Sequence, residues 1–145
     1  MATKDFIVRN GLTVSGNATI ANTATVTGVL SLLSNYAEEY SNVAISASTL
    51  TLNLSSASIF NVNLNSAVTT LTLSSYPSGA GQSTSFILMF TADGTARAVT
   101  WPAAFRWPSG TAPTLTSTNN KRDVFAFFTI DGGTNWQAFT AGQNL

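Results

Sequence analysis

The chain has 145 residues, of which 8% are charged; six basic and six acidic side chains balance to zero, and neither cysteine nor histidine is present. A neutral surface excludes electrostatic steering to nucleic acid or to an anionic membrane, and the missing thiols and imidazoles remove a disulfide framework, the commonest metal ligands and the commonest general base. Apolar residues make up 44%, too many for a disordered chain, and roughly a third of the residues are Ser, Thr or Asn, so an all-β protein with an uncharged polar surface is expected.

Residues 1–10 set the apolar run Phe6-Ile7-Val8 among Lys4, Asp5 and Arg9. Such a run is an edge strand or ordered arm, or equally an anchor that docks Phe6, Ile7 and Val8 into a larger assembly. The segment lacks the apolar h-region of a secretory signal, so synthesis in a cytoplasm is expected. No apolar run approaches the length of a membrane span.

Residues 11–34 carry a six-residue recurrence: Leu12/Val14, Ala18/Ile20, Ala24/Val26 and Leu30/Leu32, with mostly Ser, Gly, Asn and Thr between. Within each pair the spacing of two puts both side chains on one face of a strand. Four such units hold too little apolar surface to pack on themselves, and a repeat of this kind is stable only where neighbours cover it. Copies of the same chain are the natural cover. Leu12, Val14, Ile20, Val26, Leu30 and Leu32 are therefore expected at an interface between copies, and residues 1–35 are read as arm and oligomerisation stem. Residues 36–42, with the adjacent carboxylates Glu38 and Glu39, are expected to be a solvated linker or a single turn.

From Val43 to Leu145 the pattern is that of one β-sandwich domain, jelly-roll-like. Leu50, Leu52 and Leu54 alternate with Thr and Asn, as do Phe60, Val62 and Leu64; Leu71 and Leu73 follow in phase, with Val68 out of phase. Ser55-Ser56-Ala57 and Asn65-Ser66-Ala67 are short enough for hairpins or tight corners. Phe86 to Phe90 and Val124 to Ile130 are apolar on both faces and read as central strands covered on two sides. Asp93-Gly94 signals a hairpin turn, with Arg97 to Trp101 returning as the partner strand. Asp131-Gly132-Gly133 turns into the last strand, Trp136 to Thr140. Burial is expected for Phe86, Leu88, Phe90, Phe125, Phe127 and Trp136.

Two stretches carry a family resemblance. Trp101-Pro102-Ala103-Ala104-Phe105-Arg106-Trp107-Pro108 with Asp123–Trp136, continuing to Ala141-Gly142-Gln143, resembles the C-terminal β-domain of fibre-like and other virion proteins of tailed phages, cyanophages especially. Lys4–Ile20 resembles the start of phage fibre-like proteins. The resemblance implies a non-enzymatic structural protein of a virion, assembled as a homotrimer. Tail fibres of this kind are longer and carry a dedicated attachment domain. A stem with one domain points instead to a small surface component, a capsid decoration or cement protein. Its partners would be its own copies and the major capsid protein or other virion proteins, with residues 1–10 gripping the shell. Neither cofactor nor metal, nucleic acid nor membrane enters this reading.

The rival reading is a short tail fibre or receptor-binding module. Trp101 and Trp107 could stack on a host-surface glycan while Arg106 supplies hydrogen bonds. The bland alternative is that these aromatics close one end of the sandwich, and it is preferred because the flanking prolines suggest a rigid packed corner. Asp131–Asn135 has one carboxylate where a calcium loop needs several, so a glycine hairpin is expected. Four hexads without a histidine do not make an acyltransferase β-helix. Asp93, Asp123 and Asp131 all sit at turns, where local hydrogen bonds account for them without catalysis.

Overall fold

The computed structural model describes residues 11–20, 24–27, 29–32, 36–77, 79 and 81–145. The chain divides into two compact units, Met1–Tyr36 and Ala37–Leu145.

In the first unit the described residues form neither strand nor helix. Leu12, Val14, Ile20, Val26, Leu30 and Leu32 are all exposed, from 47% at Val14 to 67% at Leu12. The short strands expected of this stem are therefore absent from the described part of the single chain. The reason is physical: spacing aligns side chains on one face, but a strand forms only where a second strand takes up its N–H and C=O groups. Phe6, Ile7 and Val8 lie outside the described residues.

The second unit is all-β, with no α-helix among its described residues. Its strands are β1 (Tyr40–Asn42), β2 (Thr49–Asn53), β3 (Ile59–Leu64), β4 (Thr70–Ser74), β5 (Thr84–Ala92), β6 (Phe105–Arg106), β7 (Arg122–Thr129) and β8 (Trp136–Gly142). They form a six-stranded sheet in the order β1-β3-β5-β7-β8-β6 and a two-stranded sheet of β2 and β4. Up to β5 the chain alternates between the sheets, and each strand lies parallel to its neighbour in the same sheet. After β5, the strands β7 and β8 extend the large sheet with antiparallel pairing.

The first five strands thus wind as a short parallel coil rather than the antiparallel Greek keys of a jelly roll. Alternating leucines specify which face is buried but not which strand lies alongside, so both windings fit one sequence pattern. The turns after β2 and β3 are corners that carry the chain to the other sheet. Asn53 holds the first corner: its side-chain oxygen accepts from the backbone N–H of Ser55 at 3.1 Å, and its carbonyl accepts from that of Ser56 at 3.1 Å. Between β1 and β2, Ser46 and Thr49 exchange two backbone hydrogen bonds of 3.0 and 2.8 Å across Ala47 and Ser48, both at positive φ.

Three further expectations change. Residues 36–42 do not form a turn, since Tyr40–Asn42 is the edge strand β1, paired with β3. The stretch Arg97 to Trp101 does not return along β5. It crosses to the other side, where Val99 bridges Val68 in parallel. Val68 accordingly lies ahead of β4, which begins at Thr70, and this explains its phase. Finally, β5 and β7 are central but are covered on one face alone, with Ile87, Met89, Val124 and Ala126 half-buried on the other and Phe128 exposed.

The inner faces of both sheets share one core. Leu50 and Leu52 of β2, Phe60 and Val62 of β3, Leu88 of β5 and Phe125 of β7 have no exposed surface, and Phe86, Phe90, Phe127 and Trp136 have at most 2%. The burial expected for the long apolar strands is met.

Candidate functional site

Three places carry side chains that could act on something outside the chain: the aromatic corner, the turn carboxylates and the outer face of the large sheet.

The aromatic corner is packed inward. Pro102 accepts from the N–H of Phe105 at 2.9 Å and turns the chain into β6, which puts Phe105 and Trp107 into the core. Trp107 is 8% exposed, and its Nε1–H is buried with no partner, so it is not offered to a sugar hydroxyl. Trp101 is half-buried, with its ring 5.0 Å from that of Trp107, 5.5 Å from Phe125 and 6.1 Å from Phe127. The planes of Trp101 and Trp107 meet at 68°. Edge-to-face contacts of this kind are core geometry; a stacking platform needs solvent-facing rings that are close to coplanar, and these two are neither. Arg106 alone of the three candidates is exposed, and its Nε donates to Asn135 Oδ1 at 2.7 Å.

Four carboxylates are engaged by hydrogen bonds, Asp93 and Asp131 within their own turns and Glu38 and Asp123 with segments distant in sequence. Asp131 caps the turn between β7 and β8. It accepts from the backbone N–H of Asn135 at 2.9 Å, from the Asn135 side-chain amide at 2.8 Å and from the Thr129 hydroxyl at 2.8 Å. These bonds, the Asn135 backbone first, hold its carboxyl below the usual range. Asp93 pairs with Arg97 at 2.7 Å, which lowers the carboxyl and raises the guanidinium. Glu38 accepts from the Ser58 hydroxyl. Asp123 is buried, at 2% exposure, and joins three segments. It accepts from the backbone N–H groups of Thr116 at 2.6 Å and Asn144 at 3.1 Å, and from the Gln143 amide at 3.4 Å. Its place in the polar corner Asn119–Asp123 suggests solvent exposure; its spacing of two from Phe125 and four from Phe127, which puts all three on one face of β7, is the signal for burial. Among the described residues no three of His, Cys, Asp and Glu gather in a group that could hold a metal ion.

The outer face of the six-stranded sheet was not legible as a site. Ile59, Ile87, Ala126 and Phe139 are register partners across four strands and all point away from the core. At one end of this face a depression of about 250 Å³ is lined by Glu38, Ser58, Ser85, Ile87, Ala126 and Phe128. The arrangement has apolar area and few polar groups, so it suits packing rather than chemistry.

No family model, curated protein or solved structure matches the chain. Among the described residues no helix is long and apolar enough to cross a membrane.

Proposed function

We propose that the protein is a non-enzymatic, homotrimeric structural component of a tailed-phage virion, serving as a capsid decoration or cement protein that stabilises the shell. The observation that carries the reading is the exposure of the hexad residues Leu12, Val14, Ile20, Val26, Leu30 and Leu32. Large apolar side chains repeated at a fixed spacing in units too small to pack on themselves call for neighbours, and copies supply them at matching spacing. The virion assignment rests on the likeness of Lys4–Ile20 to the start of phage fibre-like proteins, and of residues 101–115 and 123–136, continuing to Gln143, to the C-terminal β-domain of tailed-phage virion proteins. The trimer rests on the same likeness, and the residues 1–10 anchor on the apolar run Phe6-Ile7-Val8 among Lys4, Asp5 and Arg9.

The charge-poor surface fits this role, because apolar contacts and neutral hydrogen bonds are not weakened by salt as ion pairs are. The inward packing of Trp107 and the crossed planes of Trp101 and Trp107 favour the structural reading over the glycan-binding one. Two measurements test the proposal. Light scattering on the full chain is expected to give three times the single-chain mass. Labelling of assembled particles is expected to mark the shell; a signal confined to the tail would replace decoration by a short fibre, and glycan binding by the isolated protein would revive the receptor reading.

A further inference from the structure

The dipeptide Asp-Gly stands at two turns of the β-domain, Asp93-Gly94 after β5 and Asp131-Gly132 after β7. Its chemistry is special because glycine has no Cβ to shield its amide nitrogen, which is then free to attack the carboxyl carbon of the preceding aspartate. The two turns hold that carboxyl differently. Asp93 Oδ1 accepts from the N–H of Thr95, two residues on, at 3.0 Å, and this closes a ring that contains both the carboxyl carbon and the Gly94 nitrogen. Asp93 and Gly94 are exposed, and Gly94 has a φ of 90°. In the other turn the corresponding N–H, that of Gly133, donates to the Thr129 hydroxyl at 3.1 Å instead. Both oxygens of Asp131 are bonded to Thr129 and Asn135, so no such ring forms over Gly132.

We propose that Asp93-Gly94 is a site of spontaneous modification, where the turn isomerises to isoaspartate, and that Arg97 is the residue that restrains it. In the first step the Gly94 nitrogen bonds to the carboxyl carbon of Asp93. The amide proton and the carboxyl hydroxyl leave together as water, and a succinimide remains. Water then adds back. Opening at the side-chain carbonyl restores aspartate, and opening at the main-chain carbonyl leaves Gly94 joined through the former side chain. Only the neutral carboxyl has a hydroxyl to lose. The Arg97 guanidinium, 2.7 Å from Asp93 Oδ2, favours the carboxylate and holds this group below the usual carboxyl range. The turn joins two fixed points. Ala92 exchanges backbone bonds with Asn120 and Lys121, and the Ala98 carbonyl accepts from the Val68 N–H at 2.9 Å. Isoaspartate adds one atom to the main chain between them, so it loosens the crossing from β5 to the other sheet. The inference concerns the β-domain by itself and is independent of the virion reading.

The test is ageing of the full-length chain in neutral buffer, with isoaspartate measured peptide by peptide by mass spectrometry. Mapping by peptide is needed because Asn10-Gly11 yields isoaspartate by deamidation through the same ring. In the parent chain the isoaspartyl form is expected to build up at residue 93 ahead of residue 131. Arg97→Gln removes the cation and is expected to speed the change at residue 93 several-fold, with residue 131 unaltered. That selectivity separates the role of Arg97 from a merely structural one, since a loosened domain would isomerise at both turns. Isoaspartate building up at residue 131 ahead of residue 93 in the parent, or a rate at residue 93 that Arg97→Gln leaves unchanged, would overturn the inference. If Arg97→Gln raises both turns alike, the parent chain in concentrated salt decides, because salt screens an exposed ion pair. A faster change there at residue 93 alone supports the inference, and an unchanged one sinks it.

Discussion

Gly133 has a φ of 85°, and a Cβ built on it would collide with the Tyr76 ring. That ring packs edge-on against Trp136, with centroids 5.3 Å apart, so it has little freedom to retreat. Gly110 has a similar φ of 72° but open space around it. Gly133→Ala is therefore expected to cost about 2–4 kcal/mol, from the left-handed backbone together with overpacking. Gly110→Ala carries the backbone cost alone, about 1–2 kcal/mol. Urea denaturation of the two variants checks the difference, and equal losses would mean that the Tyr76 contact contributes nothing. The turn aspartates make a second expectation at this scale. Asp131 and Asp93 hold their protons less readily in the folded chain than at the ordinary value of 3.8. Their stabilising bonds are present above that value and are lost as pH falls through the lower folded one. The melting temperature is thus expected to drop between about pH 5 and pH 2, and to drop less steeply in Asp131→Asn. Both carboxylates are solvent-exposed, so the difference between variant and parent is small but of fixed sign. A steeper drop in the variant would remove Asp131 from the account.

The long strands β5 and β7 dominate the second scale. Their apolar runs marked both as core strands, and a spacing of two puts Phe86, Leu88 and Phe90 on one face of β5 and Phe125 and Phe127 on one face of β7, but a run apolar on both faces does not say which face turns inward. Phe127 meets Phe86 and Phe105 at ring distances of 4.7 Å each and Trp107 at 5.7 Å. Phe127→Ala is expected to destabilise the domain by about 3–5 kcal/mol in equilibrium denaturation, as other large core deletions do. A loss below about 1 kcal/mol would mean that the aromatic cluster collapses to fill the space. The strand partners were less legible. Asp93-Gly94 is a turn, with Asp93 accepting from the Thr95 N–H at 3.0 Å, but the chain leaving it crosses to the other sheet. A local turn fixes where a strand ends, and the hydrophobic content of the next segment does not say which edge it will take.

For the whole molecule, the decisive quantity is the apolar surface left outside the single chain. Under the proposed assembly, Val14→Asp with Ile20→Asp places charge in an apolar contact, at a cost of several kcal/mol. Light scattering is expected to report loss of the trimer. Thermal melting makes the same point independently: a protein stabilised by association has a melting temperature that rises with its concentration. The parent chain is expected to show that rise and the doubly substituted chain to lose it. A trimer that survives both substitutions would remove the stem from the interface.

Composition and periodicity alone determined that the protein is all-β, which residues of the long strands line its core, and that the hexad pairs from Leu12 to Leu32 hold too little apolar surface to pack on themselves. These are properties of a face, and a face is set by spacing along one strand. Tertiary structure decided the rest: the parallel winding of β1 to β5, the burial of Asp123, the strand β1 at the end of the supposed linker, and the half-buried outer side of β5 and β7. Each of these depends on which segments, distant in sequence, come to lie side by side. Backbone hydrogen bonds make that choice, and the backbone is the same at every position, so the order of side chains leaves only a faint record of it.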